Sequence, residues 1–303
     1  MRCDVKKWAA LSLIGMLSSV LHADLISHWK LDEPVGNDAA FDLVGMRHGV
    51  VINGVFHPNG GVVDGAIEIR SANNAYVSMH GVLPMTSGES FTLAGWVRLD
   101  AGDLSPGIPF GRHLSTVVAG YFIGTNQLGT YGSPGTAYLY HSSLGSSSPN
   151  STTLINDGQW HHIVGVYEAS GMSHIYVDGA PVESSFVSQT IQSSTATFMI
   201  GGMNFPGLGP QNYFDGFVDD VQVYDEALCS YDIDWLFNHP GEPLPEVVCY
   251  ADCNNSCSLD IFDYICFGNA YAASTSYADC DGSGSLNIFD YICFGNAYAA
   301  GCL

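Results

Sequence analysis

Two acidic loops near the end of the chain carry oxygen-bearing residues at the spacing that binds a calcium ion. The first loop covers residues 252–263 and the second residues 279–290, so the segment repeats with a period of 27 residues. Calcium takes 6–8 oxygen ligands at about 2.3–2.6 Å, and a twelve-residue loop with ligands at positions 1, 3, 5, 7, 9 and 12 wraps around one ion. The predicted ligands are Asp252, Asn254, Ser256, Ser258, Asp260 and Asp263 in the first loop, and Asp279, Asp281, Ser283, Ser285, Asn287 and Asp290 in the second, where Ser258 and Ser285 offer backbone carbonyls.

The two loops differ at position 6, where the chain must turn sharply. The second loop has Gly284 there, whereas the first loop has Cys257, and a side chain at this position hinders the turn. We therefore expect the first loop to be more strained and to bind more weakly. Each loop supplies three carboxylates, which predicts an affinity on the order of 10⁻⁴ M. The alternative is a pair of Asx-rich turns that cap helices and hold no metal.

A thirteen-residue segment that we interpret as a helix follows each loop and is repeated without a change, at Ile261–Ala273 and Ile288–Ala300. A unit this short cannot bury a core by itself. Two calcium-loop-plus-helix repeats without a helix leading into each loop resemble a dockerin-type module. In that family a cohesin domain binds largely at loop positions 10 and 11. The resemblance implies a docking surface for a cohesin-like or other cell-surface partner, with large apolar residues in place of the usual small hydroxyl pairs, at Ile261, Phe262, Ile288 and Phe289.

Eight of the nine cysteines lie beyond residue 228, and their even number in an exported chain predicts disulfide bonds. A zinc site is disfavoured because no C-x-x-C pair occurs. The interval from Cys253 to Cys266 recurs from Cys280 to Cys293, which suggests either those two bonds or the crossed pair. Spacing does not choose among the 105 possible connectivities. The candidates are Cys229, Cys249, Cys253, Cys257, Cys266, Cys280, Cys293 and Cys302.

The first 23 residues have the order of a secretory signal peptide, with a basic start, an apolar run from Trp8 to Leu21 and a small residue at Ala23. A membrane anchor is the less favoured alternative because the run is shorter than the ~20 residues that span a bilayer. The formal net charge is −22, and no Lys or Arg follows Arg112. Such a surface repels nucleic acids and anionic membranes, and it suits cations or neutral polysaccharides.

Residues 24–238 consist of short β-type segments separated by frequent glycine turns. Phe91–Leu99 and Phe217–Tyr224 alternate as strands do, and Asp178-Gly179 predicts a tight turn between two strands. We predict an all-β jelly-roll sandwich of two antiparallel sheets, followed by a small C-terminal α module that contains the two calcium-loop-plus-helix repeats.

The β region resembles the LamG-like jelly-roll domains of the concanavalin A-like lectin/glucanase superfamily. The resemblance implies that the first and last strands lie side by side. It also implies a structural calcium ion held by Asp42 and Asp219 with backbone oxygens around His48; the alternative is that both are ordinary solvated acids. The matching segments are His28–Glu33, Asp42–Gly49, Gly65–Ile69, Ser90–Val97, Gly158–Val164, Tyr176–Gly179 and Phe214–Leu228.

Two further groups of residues are candidates for a ligand site, a histidine pair and a set of tyrosines. His161 and His162 are adjacent on a predicted strand and point to opposite faces, so we interpret them as framework residues. Tyr131, Tyr138 and Tyr140 could stack on sugar rings, or they could be core or cross-strand tyrosines that need no ligand.

Hydrolysis of polysaccharides is disfavoured, because glycosidases need two carboxylates in register and no Glu-x-Asp-x-(x)-Glu run occurs. The segment 239–248 contains three prolines, which predicts a stiff linker between independent modules, residues 24–238 and residues 249–303. We interpret the chain as a secreted, non-catalytic protein that binds carbohydrate or glycoprotein and carries a calcium-loaded docking tail. The alternatives are a structural or adhesive coat protein and, less favoured, an accessory polysaccharide-degrading enzyme.

Overall fold

The computed structural model describes residues 23–81, 88–114, 119–126, 132–141, 148–186, 196–205, 209–245 and 249–302. Two antiparallel sheets face each other in this part of the chain, and three α-helices follow them. The strands are β1 Leu25–Trp29, β2 Ala39–Ala40, β3 Gly49–Ile52, β4 Val55–His57, β5 Ala66–Ile69, β6 Tyr76–Met79, β7 Phe91–Arg98, β8 Gly107–Leu114, β9 Ala119–Thr125, β10 Ala137–His141, β11 His161–Tyr167, β12 Met172–Val177, β13 Ala180–Phe186, β14 Met199–Ile200, β15 Met203–Phe205, β16 Gly209–Gln211 and β17 Gly216–Tyr224. The helices are α1 Ser230–Asn238, α2 Ile261–Ala272 and α3 Ile288–Ala300.

The first sheet runs β13-β12-β11-β7-β17-β5-β4 with β1 also on β17, and the second runs β10-β9-β8-β14-β6-β3-β2. β1 pairs with β17 from Leu25 opposite Tyr224 to Trp29 opposite Val221, so the predicted closure of the first strand on the last is confirmed. β15 and β16 form a separate hairpin. The two-sheet architecture predicted from the sequence is therefore the observed one.

The core between the sheets is built from alternate residues of the strands. Phe91, Leu93 and Val97 of β7 point into it, as their alternation predicts. Trp29 of β1 stacks on Phe198 with ring centroids 5.2 Å apart, which joins the two sheets. Burying side chains of this size contributes about 1.5–3 kcal/mol each, so this core dominates the stability of the jelly roll.

Helix α1 was not predicted from the sequence, and it covers the outer face of the first sheet. Cys229 and Asp232 form a capping box at its start, which satisfies backbone N–H groups that the first turn leaves free. Ile233 and Leu236 are buried in a second apolar cluster with strand residues that include Tyr224. The helix is stabilised here because its apolar side chains cover the apolar outer face of this sheet.

The C-terminal tail is a pair of helices around a small aromatic core. Asp260 and Asn287 cap α2 and α3, each accepting a hydrogen bond from the N–H two residues on. Phe267 and Phe294 are fully buried and stack with centroids 4.2 Å apart. No described helix is long and apolar enough to cross a membrane.

Four disulfide bonds tie the tail together and to the jelly roll. Of the two alternatives for the repeated cysteines, the structure has the bonds within each repeat. A third bond closes the tail near its two ends, and the fourth leaves it for the N-cap of α1. The bonds are Cys253–Cys266, Cys280–Cys293, Cys249–Cys302 and Cys229–Cys257.

The described part of the predicted stiff linker, residues 239–245, packs on β17. Gly241 N–H donates to Asp220 Oδ2 at 2.7 Å. The Gln222 amide donates to the Glu242 carbonyl at 3.1 Å, and Leu244 N–H donates to the Tyr224 hydroxyl. Proline content indicates stiffness but not whether polar side chains of a strand will bind the segment's backbone.

Candidate calcium loops and ligand-binding face

The second loop gathers three carboxylates at one point. Ligand atoms of Asp279, Asp281 and Asp290 all lie within 4.8 Å of one another. Asp290 is fully buried and accepts hydrogen bonds from Asn287 N–H at 2.7 Å and Asp281 N–H at 3.4 Å, which folds the loop back on the start of α3. A hydrogen bond from Ser283 holds the pKa of Asp281 below its usual range.

One oxygen of this cluster has no partner. Asp279 Oδ2 accepts the Gly284 N–H at 2.9 Å, whereas Asp279 Oδ1 is buried and, among the described residues, without a hydrogen-bond partner. A buried carboxylate oxygen left unpaired costs free energy unless something binds it. A hard cation among the three carboxylates fits this group, and the predicted ligand residues of this loop stay candidates.

The first loop has the same backbone course but different partners. Asp263 is fully buried and accepts the Asp260 N–H at 2.8 Å, as Asp290 does in the second loop. Burial raises the pKa of Asp263, and the nearby charge of Asp252 adds to this effect. Cys257 adopts a positive φ of 63° at position 6, close to the 76° of Gly284, so the strained conformation expected there is present.

The predicted docking residues project from the first turn of each helix. Ile261 and Phe262 are 64% and 61% exposed, and Ile288 and Phe289 are 65% and 63% exposed. The two pairs have almost equal exposure because the helices share one sequence and one capping arrangement. Four large apolar side chains on a small module are unusual for a surface that nothing covers.

The jelly-roll acid Asp219 lies on β17, whereas Asp42 lies between β2 and β3, and both have structural partners. Asp219 Oδ2 accepts the Val62 N–H at 2.7 Å, and burial raises the pKa of Asp219 to about 8. The His48 ring accepts the Asp42 N–H at 3.1 Å. The calcium site shared by Asp42 and Asp219 stays a prediction, and an ion there would compete with the backbone donors that Asp42 already binds. Four N–H groups donate to the Asp42 carboxylate at 3.0 Å, those of His28, Val44, Gly45 and Arg47.

The predicted sugar-stacking tyrosines are not exposed rings. Tyr138 and Tyr140 are 0% and 3% exposed, so the prediction that they stack on a sugar is corrected in favour of cross-strand packing. Both belong to a cluster on the face of the second sheet turned away from the main core, where Tyr140 stacks on Phe122. Tyr131 lies outside the described residues.

The same outer face carries a histidine that the sequence reasoning missed. His113 of β8 is 7% exposed and meets the rings of Phe122 and Tyr140 edge-on, at 5.8 and 5.2 Å. Within the described part of the chain, neither of its ring nitrogens has a hydrogen-bond partner. Burial lowers the pKa of His113 to about 4, so the ring is neutral at pH 7 and offers one donor and one acceptor. No local pattern distinguishes His113 from a core histidine, so only packing could identify it.

The pair His161 and His162 has separate framework partners, as expected of adjacent strand residues. His161 bonds Asp178 at 2.8 Å and Asp157 at 3.1 Å, and the Asp178 hydrogen bond raises the pKa of His161. His162 packs against Trp96 with centroids 5.0 Å apart. The two rings do not form one site.

Asp219 and Asp220, adjacent on β17, also have structural partners. His28 Nε2 bonds Asp220 Oδ1 at 2.6 Å. Burial works to raise the pKa of Asp220, but this bond and the Gly241 N–H hold it below its usual range. These carboxylates anchor loops and the segment after α1.

Comparison with known proteins identifies the family of the jelly roll. No curated protein matches the sequence. Domain 4 of AbnA, a GH43 extracellular arabinanase from Geobacillus stearothermophilus solved with arabinotriose, has a similar fold with a TM-score of 0.51 and 18% identity, over 71% of this chain and 98% of that one. The binding domain of Paraclostridial Mosquitocidal Protein 1 gives 0.52 and 14%, over 71% of this chain and 52% of that one.

The Botulinum neurotoxin serotype G binding domain gives a TM-score of 0.51 and 12% identity, over 71% of this chain and 50% of that one. The chain thus spans about half the length of the two toxin domains, and these likenesses concern the fold. Residues 71–234, more than half of the sequence, match the family Laminin_G_3. The chain belongs to the concanavalin A-like lectin/glucanases superfamily.

Proposed function

We propose that the jelly roll is a non-catalytic domain that binds carbohydrate or glycoprotein outside the cell. The observation that carries this proposal is His113, a neutral, buried histidine beside the Phe122 and Tyr140 rings, whose nitrogens have no partner among the described residues. A buried polar group without partners costs about 1–3 kcal/mol, and a ligand hydroxyl would satisfy it once the side chains that cover His113 move aside. The arabinotriose held by the arabinanase domain supports a sugar as the ligand class.

A binding role is favoured over hydrolysis by the state of the acids on β17. Glycosidases place two carboxylates on either side of the scissile bond, free to exchange protons. Here Asp220 is bound by His28 and Gly241, and Asp219 by the 62–63 backbone. Their hydrogen bonds suit a structural role and leave the second sheet as the proposed contact surface.

A glycan array probed with the full chain from Asp24 tests the binding proposal. We expect a sugar signal that His113→Phe abolishes, because phenylalanine fills the same space without a donor or acceptor. His57→Ala is the control, since His57 lies on β4 of the other sheet, and it should leave the signal unchanged. Equal signals from wild type and His113→Phe would overturn the assignment of the site, and reducing-sugar release from a bound polysaccharide would overturn the non-catalytic role.

The tail is proposed to bind calcium and to dock the protein on a surface partner. The second loop supports this best, because Asp279 Oδ1, beside Asp281 and Asp290, lacks a partner in the part of the chain that the structure describes. Calcium there would neutralise mutually repelling carboxylates and hold the loop against α3. At ~1 mM calcium and a ~10⁻⁴ M site, the stabilisation is about 1.4 kcal/mol per ion.

The docking partner is proposed to be cohesin-like or another cell-surface protein that covers the exposed apolar residues of α2 and α3. Ile261, Phe262, Ile288 and Phe289 support this by their exposure. Four disulfide bonds in the last quarter of the chain support export, because such bonds persist in oxidising surroundings. The predicted signal peptide lies, apart from Ala23, outside the described residues.

An adhesive or coat role is the second candidate, and one surface favours it. The loop held by Asp42 exposes Leu43, Val44 and Met46, which are 60%, 46% and 79% exposed. Rigid apolar loops promote contacts between copies. Concentration-dependent assembly that Leu43→Asp with Met46→Asp abolishes, together with a silent glycan array, would favour this role over sugar binding.

A further inference from the structure

The first predicted ligand residue of each loop has different hydrogen-bond partners, although the two loops are repeats. Asp279 in the second loop has a buried oxygen that no described residue partners. Its equivalent in the first loop, Asp252, is 2% exposed and both of its oxygens are used. Oδ1 accepts the Ser256 N–H at 2.9 Å, and Oδ2 accepts the Cys257 N–H at 2.8 Å and the hydroxyl of Tyr231.

Tyr231 belongs to the jelly roll side of the molecule, in the first turn of α1. Its hydroxyl thus reaches across to the tail and binds the residue that would begin the calcium loop. The Tyr231 hydroxyl is the donor in this hydrogen bond, because an ionised carboxylate can only accept. Among the described residues, no side chain of the jelly roll donates a hydrogen bond to Asp279 in the second loop.

Position 6 of the first loop is also attached to the jelly roll. Cys257 stands where the second loop has Gly284, and its sulfur is bonded to Cys229, the N-cap of α1. The first loop is therefore held at position 1 by a hydrogen bond and at position 6 by a covalent bond, both from the same turn of α1. The segment 239–245, which precedes the tail, is itself bound to β17 through Asp220, Gln222 and Tyr224.

Each loop has three carboxylates, but they stand at different positions. Position 3 is Asn254, where the second loop has the carboxylate Asp281. Position 9 is Asp260, whose Oδ1 accepts the Phe262 N–H at 2.7 Å as the cap of α2. An ion in the first loop would have to displace hydrogen bonds that Asp252 already makes, whereas Asp279 Oδ1 in the second loop has no partner to displace among the described residues.

We propose that the first loop is the joint that fixes the tail to the jelly roll, and that the tail takes up one calcium ion, in the second loop. This inference rests on the proposed calcium function of the tail. The duplication thus supplies one loop for the metal and one for attachment. The docking residues of α2 and α3 are then held at a set orientation to the jelly roll.

Calcium titration calorimetry of the full chain from Asp24, with its disulfides formed, tests the joint. We expect a stoichiometry of one for the wild type. The variant Cys229→Ser/Cys257→Gly/Tyr231→Phe removes both attachments and restores glycine at position 6, and we expect its stoichiometry to rise to two. The matched control Cys249→Ser/Cys302→Ser removes a tail disulfide that touches neither attachment, and it should stay at one.

The outcomes separate this proposal from the one it rests on. A stoichiometry of two in the wild type overturns the joint and leaves the calcium function standing. No binding in the wild type overturns the calcium function itself. A triple variant that still binds one ion overturns the joint, because the binding at the second loop shows that the tail is folded. Hydrogen exchange of residues 230–238 gives a second readout, and it should rise in the triple variant and not in the control.

Discussion

The two repeats of the tail have identical helices but loops with different partners. Residues 261–273 and 288–300 are the same sequence, and their phenylalanines meet at the centre of one shared core. The loops differ at positions 3, 4, 6 and 9. The first loop is bound to α1 through Cys257 and Asp252, whereas the second keeps a buried carboxylate oxygen that is unpaired among the described residues. A duplicated segment can thus keep its packing in both copies while its loops take different tasks.

The largest expected effect tests the shared core. Phe267→Ala and Phe294→Ala should each destabilise the tail by about 3–5 kcal/mol, because both rings are fully buried and each loses the other as its stacking partner. Urea unfolding followed by hydrogen exchange of α2 and α3 measures this. The comparison holds if the two losses agree within about 1 kcal/mol, which is well below the expected effect. A loss confined to one variant would mean that the helices pack independently.

The next effect separates the loops as metal sites. Asp290→Asn should weaken calcium binding by at least tenfold, about 1.4 kcal/mol, because it removes one carboxylate of the cluster with Asp279 and Asp281. Asp263→Asn is the matched change in the first loop and should leave the affinity unchanged. Isothermal titration measures both. Equal losses in the two variants would show that the loops bind alike.

The smallest effect concerns the free energy of unfolding of the calcium-free tail. Asp263 and Asp281 should change it with pH in opposite directions. The pKa of Asp263 is raised above the unfolded value of about 3.9, so its stabilising contribution is present below that value and is lost as pH rises through the folded pKa. The pKa of Asp281 is lowered, so its contribution is present above about 3.9 and is lost as pH falls through the folded pKa. Carboxyl carbon NMR titration should place Asp263 above Asp281. The reverse order would remove the electrostatic part of the comparison.

Much of the fold follows from patterns that are local in the sequence. The alternation in Phe91–Leu99 predicts β7, and the pair Asp178-Gly179 predicts the turn between β12 and β13, where both residues have positive φ. Repetition of Cys253 and Cys266 at the same interval suggests two alternative pairings without excluding others, and the structure has the bonds within each repeat.

Other features depend on residues far apart in the chain. Cys257 has no equivalent in the second repeat, which is a signal that its partner lies outside the repeat, but nothing in the sequence points to Cys229. Tyr231 is one aromatic residue of a helix that the sequence did not suggest. Tyr138 and Tyr140 read as exposed because their segment is rich in Ser and Gly, whereas cross-strand packing buries them.

Alternation, ligand spacing and repetition act over a few residues, so the amino-acid sequence alone predicts the two-sheet β domain, the tandem loops and the cysteine-rich tail. Contacts between distant residues determine which loop keeps a carboxylate oxygen unpaired among the described residues, which loop is tied to α1, and that the segment after α1 packs on β17. These outcomes depend on donors that reach a carboxylate from more than 20 residues away, as Tyr231 reaches Asp252 and Gly241 reaches Asp220. Hydrogen bonds of that kind leave no periodic trace in the chain.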